Sequence, residues 1–315
     1  VAGKCRVTSL LQHAEEYLTA RRALGYKLRS EGYLLTSFVT FADQSGAELI
    51  TTELAMIWTL RAVDTHLHNM AKRMRVVRFF ARYLYAIDPR HEVPPDDLCP
   101  SRGHRPTPYI YSDAEVAALM NGAKGLDAPL LAITLEALIG LLVTTGMRIG
   151  EAIALNFGDV NWDESLLTVH NAKYGKSREV LLHPSTAQAL RHYVGERDQH
   201  IRPVDQSVFV STRGTRINYS TVRQAFGALR SRTFVGEASC RPRIHDLRHT
   251  FAVNTLLSWY RDGGDIASRT PLLSTYLGHA NPASTYWYLS AVPELLSLAA
   301  QRQEHAFTLT LEGRS

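Results

Sequence analysis

His279, Tyr286 and Tyr288 stand close together in the run Leu277-Gly-His279-Ala-Asn-Pro-Ala-Ser-Thr-Tyr286-Trp-Tyr288-Leu-Ser. Gly278 reads as a helix stop, and Asn281-Pro282 as the start of the next helix, with proline at an early position. A tyrosine on a short helix nine residues after a histidine is a candidate nucleophile. A free tyrosine hydroxyl performs this poorly, because its pKa is about 10. If such a tyrosine attacks a phosphodiester, the non-bridging oxygens gain charge in a pentacoordinate transition state. Rigid bidentate arginines suit those oxygens better than lysines do. The leaving alkoxide needs a proton from a general acid, and another group must help remove the proton from the tyrosine.

Residues able to meet those needs occur earlier in the chain. Arg148 follows a Thr-Gly turn in Thr145-Gly-Met-Arg148-Ile-Gly-Glu151. Lys173 and Lys176 flank Gly175 in a segment that reads as a hairpin. His245-Asp-Leu-Arg248-His249 puts His245 and Arg248 three apart on one helical face. Each is commonplace alone. An arginine at a helix start is usually a cap or surface group, a hairpin lysine is a solvated charge, and an HxxR quartet arises by chance. His279 alone is most simply a hydrogen-bonded helix-end residue. His249 lies roughly 100° around the helix from Arg248, and on that ground falls outside the site. Tyr286 and Tyr288 point to nearly opposite sides of a helix, so only one of them can face the arginines. Glu151 and Asp159 read as structural, with Glu151 orienting Arg148.

The elements that must position these groups fit a chain of two domains. With 315 residues, 45% hydrophobic and 21% charged, the composition is that of a globular protein too long for one small domain. The net charge of +5 mildly favours an anionic partner. The three cysteines, Cys5, Cys99 and Cys240, are far apart and unpaired in pattern, which argues against a disulfide framework or a zinc site and fits a reducing compartment. No charged-then-apolar signal segment opens the chain, and Val1 in place of methionine points to a missing initiator or short leader. The apolar run Ala128–Met147 approaches the length of a membrane span. Glu136 within it, and Arg148 and Glu151 just beyond, make it a buried central helix instead.

Residues 1–90 read as all helix, with runs at Ser9–Ala23, Ser30–Phe41, Glu53–Leu60 capped by Thr52, and Asp64–Tyr85. The fourth run has an apolar face of Met70, Met74, Val77, Ala81 and Leu84 and a basic face of Lys72, Arg75, Arg78 and Arg82. That basic face is either a solvated surface or a surface that tracks the phosphates of duplex DNA. Residues 88–108 carry six prolines and the basic Arg102 and Arg105, and read as a linker able to touch a polyanion. Beyond it come a capping box at Ser112-Asp-Ala-Glu115, strands at Leu166–His170 and Glu179–Leu182, and helices at 184–197, 218–231, 245–260, 271–277, 282–289 and 293–305. The expected fold class is mainly α with a small antiparallel β-sheet.

In order, the chain holds Thr-Gly-Met-Arg148-Ile-Gly-Glu151, a hairpin Lys173, His245-Asp-Leu-Arg248-His249-Thr, Leu277-Gly-His279 and Tyr288. That series resembles the tyrosine recombinase family, the phage-integrase or Xer-like recombinases, and covers the chain from about Tyr109 to the C-terminus. The resemblance implies a helical core-binding, DNA-binding domain over 1–90, a linker over 91–108 and a catalytic domain over 109–315, forming a C-shaped clamp on DNA. It implies that Arg148 and Arg248 grip the scissile phosphate and that Lys173 protonates the leaving 5′ oxygen. It further implies that His245 acts as acid or base toward the tyrosine, that His279 hydrogen-bonds a phosphate oxygen, and that Tyr288 attacks to give a 3′-phosphotyrosyl link. Family spacing selects Tyr288 over Tyr286 and Lys173 over Lys176, leaving Lys176 as a DNA contact.

The implied function is a site-specific recombinase or integrase of a mobile, transposon-type element. It would work without metal or other cofactor on double-stranded DNA with specific recombination sites, as a homotetramer alone or with related recombinases, in the bacterial cytoplasm at the nucleoid and not at a membrane. The alternatives are a type IB topoisomerase-like enzyme, which relaxes supercoils as a monomer, and a non-catalytic DNA-binding accessory protein on the same fold. One departure from the family is the 31-residue spacing from Arg248 to His279, longer than is typical, with the extra segment near 259–269. The apolar stripe beyond Pro293 (Leu295, Leu296 and Leu298) would pack on its own domain or, as the resemblance implies, dock on a neighbouring protomer.

Overall fold

The structure is a computed structural model, and it describes residues 9–61, 67–99, 107–170, 177–234, 242–279 and 281–301. The chain forms two compact units, Val1–Pro106 and Thr107–Ser315.

The first unit is built from α1 (Leu10–Ala23), α2 (Arg29–Gln44), α3 (Thr52–Leu60) and α4 (Leu67–Tyr85). Short polar side chains start two of them. Ser9 Oγ accepts from the Gln12 N–H, and Thr51 Oγ1 accepts from the Leu54 N–H, so Thr51 and not Thr52 is the cap of α3. The apolar face expected of α4 is the one buried: Met74, Val77 and Ala81 have no exposed surface, and they meet Leu35, Phe38 and Trp58 in one core. Arg73 lies over the Trp58 ring at 3.5 Å, closing that core with a cation.

The opposite face of α4 departs from expectation. Arg78 is only 7% exposed. Its guanidinium donates to the carbonyls of Pro94 and Pro95 and pairs with Asp96 at 3.1 Å. Arg82 is exposed and also pairs with Asp96, at 3.2 Å. Lys72 donates to Ser30 Oγ, and Arg75 is exposed. Arg78 is therefore a bolt between α4 and the proline-rich run, and is not placed to meet a phosphate. A proline-rich strand offers carbonyls without matching N–H donors, and a buried guanidinium supplies those donors. The same run is tied at His91 Nδ1, which accepts from the Ile50 N–H, and at Glu92, which accepts from the Thr52 N–H. Residues 91–99, expected as linker, are thus fastened to the first unit. Arg102 and Arg105 lie outside the described residues.

The second unit surrounds α6 (Pro129–Thr145), which packs on α5 (Asp113–Lys124), α8 (Pro184–His200) and α10 (Asp246–Arg261). Apolar residues right around its circumference explain the long hydrophobic run: α6 is a central helix enclosed by others. No described helix is long and apolar enough to cross a membrane. Glu136, on its rim, pairs with Lys124 at 3.2 Å. The capping box at Ser112 and Glu115 is present in both directions. After α7 (Ile149–Ala154), strands β1 (Val160–Asn161), β2 (Leu166–Val169) and β3 (Arg178–Leu181) form an antiparallel sheet in the order β1-β2-β3, with Leu167 opposite both Val160 and Val180. The tip between β2 and β3, with Lys173 and Lys176, lies outside the described residues.

The remaining helices are α9 (Tyr219–Thr233), α11 (Ile266–Leu277) and α12 (Ala283–Ala291), followed by a helical run over 293–301. The segment near 259–269 is mostly helix. α10 continues to Arg261, and Asp265 caps α11 by accepting from the N–H groups of Ala267 and Ser268. Pro271 sits inside α11 and does not begin it. In the last run, Leu295 is 1% exposed and packs with Leu298 in the unit's own core beside Tyr288, while Leu296 is 51% exposed.

Arg78→Ala should lower the stability of the first unit by roughly 2–4 kcal/mol, because it leaves the buried Pro94 carbonyl without its donor and removes a buried side chain. Arg75→Ala should change it by less than about 0.5 kcal/mol, as exposed substitutions usually do. Urea unfolding of the two variants checks this; equal losses would show that Arg78 is not the bolt.

Candidate active site

The site lies where two helices end. The C-terminus of α6 closes on Gly146 in a left-handed turn with φ of 62°, and α11 closes on Gly278 with φ of 66°. Such ends leave carbonyls without helical partners and carry the negative pole of the helix. Arg248 spans the two ends: Nη1 donates to the Gly146 carbonyl and Nη2 to the Leu277 carbonyl, both at 2.7 Å. Arg148, the residue before α7, donates through Nη2 to the Gly278 carbonyl at 2.9 Å. The two cations expected to act together are brought together by adjacent carbonyls of a single turn. A side chain at Gly146 would run into the Phe251 ring, its Cβ lying 2.3 Å from the nearest ring atom, so glycine is required there for space as well as for φ.

Arg248 is 2% exposed, and burial first, then the neighbouring Arg148, lower its pKa to about 10, which still leaves it charged at neutral pH. Glu151 supplies the counter-charge. One oxygen accepts from Arg148 Nη1 (2.7 Å) and Arg178 Nη1 (3.1 Å), the other from the Arg148 N–H (2.9 Å) and Arg178 Nη2 (2.7 Å). Burial acts to raise the Glu151 pKa, but hydrogen bonds from Arg178 and the Arg148 backbone outweigh it and hold the carboxyl at about 2. Arg178, on β3, is a member of this cluster that the sequence reading missed. Its position at the start of a strand, beyond the hairpin, carried no sign that its side chain would reach under Gly278.

His245 stands immediately before α10 and opens onto a groove it shares with Arg148. Desolvation by the groups packed around it, and then the charge of Arg248, push its pKa below the ordinary histidine value. His279 follows Gly278 and is fixed by a 2.7 Å contact between Nδ1 and the hydroxyl of Thr285, itself fully buried on α12. Tyr288, one turn on from Thr285, is 1% exposed, whereas Tyr286 is 45% exposed and points away, as their two-residue spacing requires. The Tyr288 hydroxyl lies 2.6 Å from Nδ1 of His249. It also lies near enough to Arg248 for a phenolate there to favour the charged guanidinium.

His249 is thus in the cluster, contrary to the expectation that it faces elsewhere. The site wraps around α10, so that Arg248 reaches one helix end while His249 reaches α12. A signal for it was present, since His249 follows His245 by four residues and shares its face; their rings are 4.9 Å apart. Asp159 is structural as expected, accepting from the Asn156 N–H. Among the described residues, no group of acidic, cysteine and histidine side chains could hold a metal ion.

Because the folded pKa of Glu151 lies near 2 against an ordinary 4.5, its charge stabilises the fold fully above about pH 4.5 and loses that effect as pH falls toward 2. Glu151→Gln should therefore be less stable than the parent chain at neutral pH, by on the order of 3 kcal/mol, with the gap narrowing below pH 4.5. Urea titrations between pH 7 and 3 check this; a gap independent of pH would contradict it.

Residues 111–294 match the Phage integrase family. Over 309 residues the chain is 40% identical to the protein y4rB of Sinorhizobium fredii, which carries an integrase/recombinase designation, covering 95% of this chain and 98% of that one. It is 27% identical over 237 residues to the tyrosine recombinase XerC of Alcanivorax borkumensis, covering 73% of each. Its fold is similar to that of the XerH site-specific recombinase bound to a palindromic difH substrate, with a TM-score of 0.64 at 18% identity over 94% of this chain and 85% of that one. It is also similar to the Tn1549 transposon integrase in complex with transposon right end DNA, with a TM-score of 0.65 at 15% identity over 93% of this chain and 98% of that one. The mainly helical fold, the small antiparallel sheet and these matches agree, and the chain belongs to the phage integrase family of tyrosine recombinases.

Proposed function

We propose that this protein is a site-specific DNA recombinase that cleaves and rejoins strands through a 3′-phosphotyrosyl intermediate on Tyr288. The observation that carries this reading is the convergence of Arg148, Arg248 and His279 on one turn, with the Tyr288 hydroxyl beside them. The guanidinium groups would take the non-bridging oxygens of the scissile phosphate as charge grows on them, exchanging carbonyl partners for phosphate oxygens. His279, set by Thr285, would add a hydrogen bond to the same phosphate. His245, open to the groove beside Arg148, would serve in proton transfer, and Lys173 would protonate the 5′ oxygen as it leaves. Because the phosphotyrosyl bond keeps the energy of the broken link, a 5′ hydroxyl from another strand can reverse the step without ATP.

The partner is double-stranded DNA bearing specific sites. The helical first unit is proposed to hold the duplex through Lys72, Arg75 and Arg82, together with Arg102, Arg105 and Lys176; Arg78 leaves this set. A homotetramer on two sites would exchange strands in pairs. The relatives named as a transposon integrase and as Xer recombinases support a mobile-element or chromosomal exchange reaction.

The test uses nicked suicide duplexes from DNA flanking the gene, in which the 5′ fragment created by cleavage diffuses away. The parent protein should form a covalent adduct, and Tyr288→Phe should form none. An adduct that survives Tyr288→Phe would overturn the assignment. On intact DNA, exchange between two sites is expected, and supercoil relaxation with no exchange would favour the topoisomerase reading. In binding titrations across salt, Arg75→Ala should reduce the slope of log K against log salt by about 1, the value for one lost phosphate contact. An unchanged slope would remove Arg75 from the DNA contacts.

A further inference from the structure

We propose that His249 is the proton acceptor for Tyr288 and sets its position, a role separate from that of His245. The inference rests on the reading of Tyr288 as nucleophile. Its Nδ1 lies 2.6 Å from the Tyr288 hydroxyl, and the two side chains are buried together at 6% and 1% exposure. A phenol with an ordinary pKa of about 10 is almost wholly protonated at neutral pH, so its attack needs an acceptor already in contact.

The rest of the ring's surroundings suit that role. Nε2 of His249 faces Asp246 Oδ1 at 4.0 Å, one turn back on α10. Asp246 is 1% exposed and is fixed by Arg243, whose N–H donates to Oδ2 at 2.6 Å and whose Nη2 donates to Oδ1 at 2.9 Å. A carboxylate on that side of the ring favours the imidazolium that forms when the proton arrives. His245 sits differently. Its ring stands perpendicular to that of His249, with centroids 4.9 Å apart, and opens onto the groove lined by Arg148, where the phosphate would lie. The two histidines, four residues apart, thus divide the work: His245 faces the phosphate and His249 faces the nucleophile.

The Tyr288 O–H bond breaks and its proton moves to Nδ1 of His249. The phenolic oxygen forms a bond to phosphorus, and the bond from phosphorus to the 5′ oxygen breaks. That leaving oxygen takes its proton from a different donor, Lys173 in the proposed mechanism. In rejoining, an incoming 5′ hydroxyl gives its proton back to Lys173 and bonds to phosphorus, the bond from phosphorus to the tyrosine oxygen breaks, and His249 returns its proton to that oxygen.

The experiment is single-turnover cleavage of the same nicked duplexes, made with either an ordinary phosphate or a 5′-bridging sulfur at the scissile link. A sulfur leaving group needs no proton, so it rescues loss of the general acid but not loss of an acceptor on the nucleophile. His249→Ala should slow cleavage about 10²-fold on both substrates, while Lys173→Ala recovers on the sulfur substrate. His249→Asn can still accept a hydrogen bond from the phenol but cannot take its proton, so it should fold, bind DNA and remain slow. It carries the test should the alanine variant not fold. Cleavage by His249→Asn or His249→Ala within a few-fold of the parent, faster than the parent, or restored by sulfur would overturn the inference while leaving Tyr288 as nucleophile. If the parent forms no adduct, or Tyr288→Phe keeps it, the reading of the site falls and the inference falls with it.

Discussion

The site depends on the burial of one guanidinium between two helix ends. Arg248 is almost wholly removed from water and takes the carbonyls of Gly146 and Leu277, the closing groups of α6 and α11. An unpaired buried cation would be costly enough to unfold a domain, and helix C-terminal carbonyls are among the few backbone groups that need a donor from outside. Each therefore satisfies the other. The arrangement demands left-handed turns at Gly146 and Gly278, room for the Phe251 ring beside the first, and the position of α10 against both helices. The fold of the second unit is in this sense organised around a cation.

Arg148, Glu151 and Arg178 extend the same logic outward. Three cations (Arg148, Arg178 and Arg248) gather around a turn with one carboxylate among them, so the net local charge stays positive. A cradle assembled before any anion enters suits a phosphate that gains charge during reaction, because little has to move as that charge develops. The nucleophile proposed for that reaction is kept apart from solvent on α12. Its helix is fastened at Thr285 to His279 and at Tyr288 to His249, two hydrogen bonds one turn apart. α12 is thereby joined to the histidines that stand beside the arginine cluster, and a shift of that helix would be felt by histidine and tyrosine alike.

Much of this was legible in the sequence, where the physical cause was local. Gly278 as a helix stop, the box at Ser112, the two-sided α4 and the opposed Tyr286 and Tyr288 follow from helix geometry. What was not legible came from partners distant in the chain. Arg78 shares its helical face with Arg75, and periodicity cannot reveal that Pro94 and Pro95 cover one and not the other. Pro271 looked like a helix start because proline favours early positions, yet Asp265 begins α11 six residues before it. The angle between His249 and Arg248 puts the two on different faces of α10, and a site that encircles a helix has no single face. β1 has only two residues and no periodicity to detect.

The most direct test of the central claim is to identify the residue that carries the DNA. The covalent complex trapped on a nicked duplex would be digested with protease and nuclease, and the modified peptide mapped by mass spectrometry. A nucleotide 3′-phosphate is expected on the hydroxyl of Tyr288, within the peptide that follows His279. A phosphate found on Tyr286, or on any residue outside α12, would contradict it.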